Sequence, residues 1–439
     1  MKRVVVTGLG CVTPIGNTVE TFRESLYAGR TGIAPFDLSV IPGALSPDPG
    51  IRYKTTAKVK DFNPTQNPEQ LLSSSFILTS ELGAQFGIIA ARQAVAHSGL
   101  LQHHDPAGIA IVTGCSCGGR GADEDANRNL YLRNARVPPT AIIRTMASSG
   151  TSNIAIENGI TGPTLNIATA CASGTHAIGL AFQMVRAGMV PAAIAGGYEA
   201  PLTYGFLRAW DSMRVVSPTS CRPFSADRDG MTLGEGAAML ILEPLDAALA
   251  RGARIYAEIV GFGMSADAHH VTQPRAEGAA LAMRRALKDA AASGVDVAAH
   301  CVGYINAHGT GTQTNDAVEA AAIHQVFGEA ASRIPVGATK SLTGHSIGAA
   351  GAIEALATVL ALDAASLPHT AGITQIDPKL ELDVLIGEPR PLAPEKDLAL
   401  SNSLAFGGLN AVLALRRYTS WPEGGCPIAC PELAEGSRS

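Results

Sequence analysis

The sequence predicts an α/β protein with a layered core, and three observations support this prediction. Short runs rich in valine, isoleucine and leucine alternate with longer alanine-rich stretches of helical period. Glycine is abundant, at 47 residues, whereas aromatic residues make up only 5% of the chain; this composition favours closely packed sheets and helices. With 439 residues, 46% of them hydrophobic, the chain can bury one large core or several ordinary domains.

The apolar runs and the alanine-rich stretches place the main elements in order along the chain. The clearest predicted strands cover residues 4–6, 109–112, 238–242 and 412–415. The clearest predicted helices cover residues 83–98, 174–188, 278–292 and 317–327. This alternation is typical of α/β proteins.

A change of composition at residues 251–256 divides the chain, because an amphipathic helix there gives way to a new strand. We therefore predict two halves, residues 1–254 and 255–417, although no repeat at the residue level demonstrates a duplication. Residues 418–439 are rich in proline, glycine and serine, which predicts a flexible tail.

Charge, hydropathy and cysteine usage exclude several classes of protein. The net charge is −5, without a long run of one sign, so we expect no nucleic-acid partner. Apolar stretches are interrupted before they reach the roughly 20 residues of a membrane span, so we expect no span. The eight cysteines form no dense framework, which predicts reduced thiols and a cytoplasmic location.

Two pairs of neighbouring cysteines invite interpretation as metal ligands. Cys115 and Cys117 form one pair, and Cys426 and Cys430 in the tail form the other. Neither pair is accompanied by a second cysteine or histidine pair at the spacing of a zinc site. We interpret both pairs as incidental.

The strongest local motif surrounds Cys171, in the segment LNIATACASGTH at residues 165–176. It predicts a strand that breaks at small residues into a helix, with the cysteine at the turn. The unpaired N–H groups and the positive end of a helix dipole favour the thiolate, and the same N–H groups can stabilise an oxyanion. The alternative is a small cysteine buried at a strand–helix junction.

Three further loops carry candidate functional residues. Residues 304–312, YINAHGTGT, place His308 where a predicted strand enters a loop rich in glycine and threonine. Residues 338–351 place Lys340 five positions before His345, where like charge would help keep the imidazole neutral. Residues 401–410, SNSLAFGGLN, place Phe406 before two glycines, so its ring is predicted to swing or else to pack beside a tight turn. Each histidine alone has a structural alternative, but the combination with Cys171 indicates catalysis.

These four motifs, in this order and at these separations, resemble the β-ketoacyl synthase family of the thiolase-like superfamily, in particular its elongating type-II enzymes. The resemblance extends from about residue 2 to 417 and includes VVVTGLGCVTPIGN, RPFSADRDG and LGEGAAMLILE. It implies a five-layered α-β-α-β-α fold with two similar halves. It also implies an acyltransferase that condenses a cysteine-bound acyl chain with malonyl-acyl-carrier protein by decarboxylation.

The resemblance also assigns roles to residues of this chain. It makes Cys171 the nucleophile, and His308 and His345 the residues that assist loss of the malonyl carboxylate and bind the enolate. It gives Lys340 a positioning and electrostatic role beside the second histidine, with Glu354 as its carboxylate partner.

The same resemblance assigns the oxyanion hole, the gate and the carrier contacts. The oxyanion hole would be formed by the backbone N–H groups of Cys171 and Phe406, with the Phe406 ring as a gate. Thr310 and Thr312 would contact the phosphopantetheine arm, and Asp316 and Glu319 would brace their loop. We expect no metal and no cofactor other than the phosphopantetheine carried by the acyl-carrier protein. The expected partners are that carrier and a second copy of the chain, or a related subunit in a heterodimer.

Some positions depart from the pattern of housekeeping fatty-acid enzymes. Gly311 lies between the two threonines in place of serine, and Ser225 replaces a common aspartate. In the acyl pocket, Cys117 aligns with a large aliphatic residue, where a smaller group could extend the cavity. Trp210 aligns with an aromatic residue and could shorten the pocket or stack on a conjugated chain. We therefore predict polyketide, polyene or specialised fatty-acid synthesis; the alternatives are housekeeping elongation and a partner subunit of a heterodimeric ketosynthase.

Overall fold

The computed structural model describes residues 1–37, 41 and 50–419. The described residues end at position 419, so residues 420–439 of the predicted tail, including Cys426 and Cys430, lie outside them.

Within this range the backbone forms strands that are mostly short and buried. The strands are β1 Val4–Val12, β2 Ile33–Pro35, β3 Thr55–Ala57, β4 Ala110–Gly114, β5 Thr164–Ile167, β6 Ala193–Glu199, β7 Gly236–Pro244, β8 Ala257–Ala266, β9 Val302–Asn306, β10 Pro335–Gly337, β11 Ser366–Leu367, β12 Asp383–Val384, β13 Arg390–Pro391, β14 Leu398–Ala405 and β15 Leu409–Arg417. The helices are α1 Val19–Tyr27, α2 Ser74–Thr79, α3 Leu82–Ser98, α4 Leu100–His103, α5 Arg120–Tyr131, α6 Ala141–Thr145, α7 Ser149–Asn158, α8 Ser173–Arg186, α9 Tyr204–Met213, α10 Leu245–Ala250, α11 Ala276–Ala291, α12 Gln313–Phe327, α13 Lys340–Thr343 and α14 Ala350–Ala364.

The main predicted elements are present, and two differ in length for physical reasons. Strand β1 runs on through Gly8 and Gly10 because α3 packs directly on it: a Cβ at Gly10 would lie 2.0 Å from the Ala90 carbonyl oxygen. Helix α12 begins four residues before the predicted start, because the Thr312 hydroxyl accepts a hydrogen bond from the Asn315 N–H and caps the helix.

The sheet repeats one topology twice. Eleven strands are connected in the order β12-β10-β9-β14-β15-β8-β1-β7-β6-β4-β5. The series β1-β7-β6-β4-β5 has two antiparallel pairings followed by two parallel ones, and β8-β15-β14-β9-β10 has the same sequence of pairings. The duplication that the residues do not reveal is therefore visible in the strand order.

The helices complete five layers around the two five-strand series. Helices α8 and α14 contact each other and strands of both series, so they form the middle layer. Helix α3 packs on the first series and α11 on the second, giving the outer layers. The predicted five-layered α-β-α-β-α fold with two similar halves is confirmed.

One described helix, Ile347–Ala364, is long and apolar enough to pass a test for a membrane span. It comprises a short 3-10 turn followed by α14, and 89% of it is buried inside the protein. Its hydrophobicity therefore matches its place in the middle layer.

The connections at the carboxyl ends of three parallel strands and one hairpin carry the predicted site residues. Cys171 follows β5, His308 follows β9, and Lys340 and His345 follow β10. Phe406 lies in the turn between β14 and β15. The connections after β5 and β10 lead into α8 and α14 of the middle layer, where the two halves meet.

Candidate active site

Cys171 lies at a sharp turn before α8, with 5% of its surface exposed. The preceding Ala170 has a φ of 48°, a conformation that a residue with a side chain rarely adopts. Ser173 stabilises this turn, because its hydroxyl donates to the Ala170 carbonyl at 2.6 Å and accepts from the Thr169 N–H at 2.9 Å. The turn thereby presents the thiol between the two halves.

Two histidines converge on this thiol. Nε2 of His345 lies 3.0 Å from Sγ of Cys171, and the rings of His345 and His308 meet edge to face with centroids 5.4 Å apart. One potential ligand atom from each of the three side chains lies within 4.8 Å of the others. The residues that the sequence analysis proposed as nucleophile and histidine pair are therefore in contact distance of one another.

The Lys340 ammonium group makes its direct histidine contacts with His308, and its charge also acts on His345, beside which it was predicted. Its Nζ donates to the backbone carbonyl of His308 at 2.5 Å, contacts Nδ1 of the same histidine at 3.1 Å and forms a buried ion pair with Glu354. These three contacts occupy all three protons of the ammonium group. Nδ1 of neutral His308 therefore accepts, which leaves its proton on Nε2.

Burial determines the protonation of the site. Desolvation, and then the charge of Lys340, hold the pKa values of His308 and His345 well below the usual value, so both imidazoles are neutral. For His345 this was predicted. Desolvation raises the pKa of the Cys171 thiol to about 11, although Lys340 and the backbone N–H groups of Phe406 and Cys171 act to lower it. The resting thiol is therefore protonated, in contrast to the expectation drawn from the helix N-terminus alone.

Glu319 holds the backbone that carries His308. Its buried carboxylate accepts hydrogen bonds from the N–H groups of His308 at 2.8 Å and Gly309 at 2.9 Å. The Asn402 side chain donates to the same carboxylate at 3.1 Å.

Asp316 holds the next part of the loop. It is buried and accepts hydrogen bonds from the N–H groups of Gly311 at 3.2 Å and Phe224 at 2.7 Å. The hydroxyl oxygens of Thr310 and Thr312 lie 3.0 Å apart at the wall of the cavity. The predicted bracing by acidic residues is thus formed through backbone N–H groups.

A cavity of about 210 Å³ leads to the thiol. Its lining includes the side chains of Thr310 and Thr312, which we call the polar wall, and the rings of Trp210 and Phe406, which we call the apolar wall. The Trp210 and Phe406 rings stack with centroids 5.8 Å apart.

Cys117 does not line this cavity as the structure describes it. It belongs to a neighbouring apolar cluster that also contains Phe206, Met231 and Trp210. Glu199 was not predicted as a functional residue; its carboxylate accepts a hydrogen bond from the Cys117 N–H at 3.1 Å. The available signal was an acidic residue directly after the apolar run AAIAGGY, a segment that the structure shows as β6.

Two features bear on metal binding. The Cys171, His308 and His345 atoms have the composition of a zinc donor set, but the adjacent Lys340 ammonium group opposes a cation there. Behind the site, several buried oxygen atoms lack a hydrogen-bond partner among the described residues: Oδ1 of Asn306, Oε2 of Glu354, Oγ of Ser401 and Oδ1 of Asn402. Oxygen atoms of this kind are satisfied by ordered water or by a hard cation.

The duplicated five-layer fold, the buried thiol and the paired neutral histidines define a thiol-dependent enzyme of the thiolase-like class. The chain belongs to the β-ketoacyl synthase family. Residues 1–248 match the family model described as "Beta-ketoacyl synthase, N-terminal domain", and residues 256–374 match "Beta-ketoacyl synthase, C-terminal domain".

Named relatives align with almost the whole chain. A "3-oxoacyl-[acyl-carrier-protein] synthase 2" of Synechocystis is 41% identical, covering 95% of this chain and 98% of that protein. A "Nodulation protein E" of a Rhizobium species is 37% identical, covering 95% and 99%. Among solved structures, "The ishigamide ketosynthase/chain length factor" is 33% identical, with a TM-score of 0.86 over 95% of this chain and 100% of that one.

Proposed function

We propose that the protein is a condensing acyltransferase that uses Cys171 to extend acyl chains carried by an acyl-carrier protein. In the first step Sγ attacks the thioester carbonyl of the incoming acyl carrier, the C–S bond of that thioester breaks, and the carrier thiol leaves with the proton of Cys171. The observation that carries this proposal is the 3.0 Å contact between Sγ of Cys171 and Nε2 of His345, both of which are buried. His345 is within reach to transfer that proton.

In the second step, malonyl-acyl-carrier protein loses carbon dioxide and its enolate carbon attacks the Cys171 thioester. A new C–C bond forms and the acyl C–S bond breaks, so that Cys171 leaves as a thiolate, which takes up a proton from solvent, while the β-ketoacyl product stays on the carrier. Neutral His308 offers an N–H at Nε2, because Lys340 occupies its Nδ1. Acylation removes the thiol proton that Nε2 of His345 faced, so this ring can then donate as its Nε2–H tautomer. We assign both imidazoles to the developing enolate oxygen, where preformed donors act most strongly.

The oxyanion of the acyl thioester is assigned to the backbone N–H groups of Cys171 and Phe406. Both groups lower the pKa of the Cys171 thiol, so both act on its sulphur. A donor in this position also acts on an oxygen bonded to the adjacent carbonyl carbon. The Phe406 ring closes the apolar wall and is assigned as the gate.

The carrier's phosphopantetheine arm is assigned to the polar wall of the cavity, with Thr310 and Thr312 as contacts. The related structure "AntDE:AntF (apo): type II PKS acyl-carrier protein in complex with its ketosynthase bound to the hexaketide" is 28% identical with a TM-score of 0.84 and supports such a partner. No other cofactor is proposed, and the enzyme is assigned to the cytoplasm. Residues 1–254 would supply the nucleophile, and residues 255–417 the histidines and the gate.

We propose a homodimer that pairs the β5 strands of two copies. Strand β5 lies at the end of the sheet, and Leu165 on it is 44% exposed. An unpaired edge strand carrying an apolar side chain is a template for pairing with another chain. Light scattering tests this proposal: we expect the wild type to be a dimer and Leu165→Lys to be a monomer. A monomeric wild type would contradict the homodimer and would favour a heterodimer with a related subunit.

The proposed substrates are polyketide, polyene or other specialised acyl chains. The aromatic stack of Trp210 and Phe406 on the apolar wall supports this, because conjugated chains gain from contact with aromatic faces. A preference of Cys171 for long saturated chains over conjugated chains of equal length would favour housekeeping elongation instead.

The test is to incubate the purified protein with acyl-carrier and malonyl-carrier substrates and to follow both products by mass spectrometry. Acylation of Cys171 and formation of the β-ketoacyl carrier are expected, with both lost in Cys171→Ala. Acylation without extension would indicate a missing partner subunit, and the absence of both would overturn the proposed reaction.

A further inference from the structure

Glu199 is a buried carboxylate for which the proposed mechanism has no role. It ends β6, is fully buried, and its oxygens accept hydrogen bonds from four groups on two separate loops. The donors are the Ser116 N–H at 2.8 Å, the Cys117 N–H at 3.1 Å, the Cys115 thiol at 3.2 Å and the Gly348 N–H at 3.2 Å. Glu199 therefore connects the loop after β4 to the turn after His345.

The turn after His345 depends on external contacts for its shape. Ile347 has a φ of 50°, which is unfavourable for a β-branched residue. Gly348 approaches so closely that a Cβ there would lie 2.5 Å from Oε2 of Glu199 and 2.7 Å from the Ser116 nitrogen. Strained backbone persists only where its surroundings fix it, and Glu199 supplies a hydrogen bond at this point.

The arrangement parallels the support of the other histidine. Glu319 accepts from the backbone N–H of His308 directly, whereas Glu199 accepts from Gly348, three residues after His345. Each imidazole is thus attached to backbone that a buried carboxylate holds. A carboxylate at the start of the turn leading into α14 also interacts favourably with the dipole of that helix.

We propose that Glu199 is a positioning residue for His345: its hydrogen bond to Gly348 fixes the strained turn so that Nε2 of His345 stays against Sγ of Cys171. The proposal rests on the proposed function, since it takes Cys171 as the nucleophile. It assigns Glu199 no contact with substrate.

The rate at which iodoacetamide alkylates Cys171 distinguishes three consequences of removing this carboxylate. If His345 moves away, the thiolate loses a hydrogen bond and alkylation slows. If only a nearby negative charge is lost, the thiolate is favoured and alkylation accelerates. If the effect is on folding stability alone, the melting temperature falls and the alkylation rate of the folded protein is unchanged.

The experiment compares the full-length wild type with Glu199→Leu, Glu199→Gln and Glu243→Gln at pH 8. Burial raises the pKa of Glu199 to about 7, so its carboxylate is ionised at this pH. Glutamine keeps an acceptor for Gly348, whereas leucine has none. Glu243 is a matched control, because it is also fully buried and lies near the far end of β7, seven residues from the Gly236 that pairs with Glu199.

Alkylation of Cys171 is expected to be at least tenfold slower in Glu199→Leu, less affected in Glu199→Gln and within twofold of wild type in Glu243→Gln. An unchanged or faster rate in Glu199→Leu would overturn the proposal. If Glu199→Leu does not fold, Gly348→Ala decides the question: its Cβ displaces the same contact, and an unchanged alkylation rate would refute the role of the turn. If the wild type catalyses no condensation, the proposed function is refuted, but the comparison of Cys171 alkylation rates remains valid.

Discussion

The rings of Trp210 and Phe406 lie face to face, with centroids 5.8 Å apart and planes inclined by 18°. The ring of Phe406 is thereby attached to α9, while its backbone N–H acts on the sulphur of Cys171. The stack thus links the apolar wall of the cavity to the proposed oxyanion hole. A change that makes the Phe406 ring more mobile is therefore expected to make the Phe406 N–H group more mobile as well.

Trp210→Ala is therefore expected to open the gate. An aromatic pair contributes about 0.5–1.5 kcal/mol beyond its buried area, so the open population should rise by about 2- to 10-fold. We expect faster hydrolysis of the acylated enzyme and slower condensation by a similar factor, measured by intact mass spectrometry over time. Trp210→Phe retains a ring and serves as the control; equal hydrolysis in wild type and both variants would contradict the coupling.

The buried pair of Lys340 and Glu354 gives a second prediction. Lys340→Met leaves an uncompensated carboxylate in the core and removes the group that sets the tautomer of His308. Removing one partner of a buried ion pair lowers the free energy of unfolding by about 3–5 kcal/mol. We expect the free energy of unfolding, measured in urea, to fall by this amount. We also expect the variant to lose malonyl decarboxylation.

The double variant Lys340→Met with Glu354→Gln separates the two effects. It removes both charges, so most of the stability should return while decarboxylation stays low. Recovery of both properties together would indicate that Lys340 serves only the fold.

The sequence predicted this site because each motif combines a strand, a small-residue turn and a reactive side chain. Cys171, His308 and His345 belong to such motifs, and parallel strands bring their ends to the same layer. Glu199 was not predicted because its partners come from the loop after β4 and from the turn before α14, and no spacing in the sequence encodes a contact across 149 residues. The direct contacts of Lys340 with His308 were not predicted, since a separation of five residues from His345 says nothing about which ring its side chain reaches.

The protonated thiol gives a third prediction. Burial raises the pKa of Cys171 to about 11, so the thiolate fraction should increase about tenfold for each pH unit up to that value. Alkylation of Cys171 by iodoacetamide, followed by peptide mass spectrometry between pH 7 and 10, should rise without a plateau. Because the charge of Lys340 lowers this pKa, the Lys340→Met variant should react more slowly at every pH; a plateau near pH 8 would show that the thiolate is already formed.

Glu243 gives a prediction on stability, remote from the site. Hydrogen bonds from His104, Arg251 and Thr7 overcome desolvation and lower the pKa of its carboxyl group to about 2. A group whose pKa is lower in the folded state stabilises above its unfolded pKa, near 4.5, and loses that contribution as the pH falls toward 2. At pH 7 the contribution is on the order of 3 kcal/mol.

The difference in unfolding free energy between wild type and Glu243→Gln isolates this group. Buried carboxyl groups such as Asp316 and Glu354 have raised pKa values, so their effect on the pH dependence of stability has the opposite sign. Both proteins contain these groups, so their contributions cancel in the difference. Urea unfolding at pH 7, 5 and 3.5 should give a difference that is constant from pH 7 to 5 and smaller at pH 3.5. A difference that is the same at all three values would mean that the glutamate is held by shape and neutral hydrogen bonds, and that its ion pair with Arg251 adds nothing to the stability of the fold.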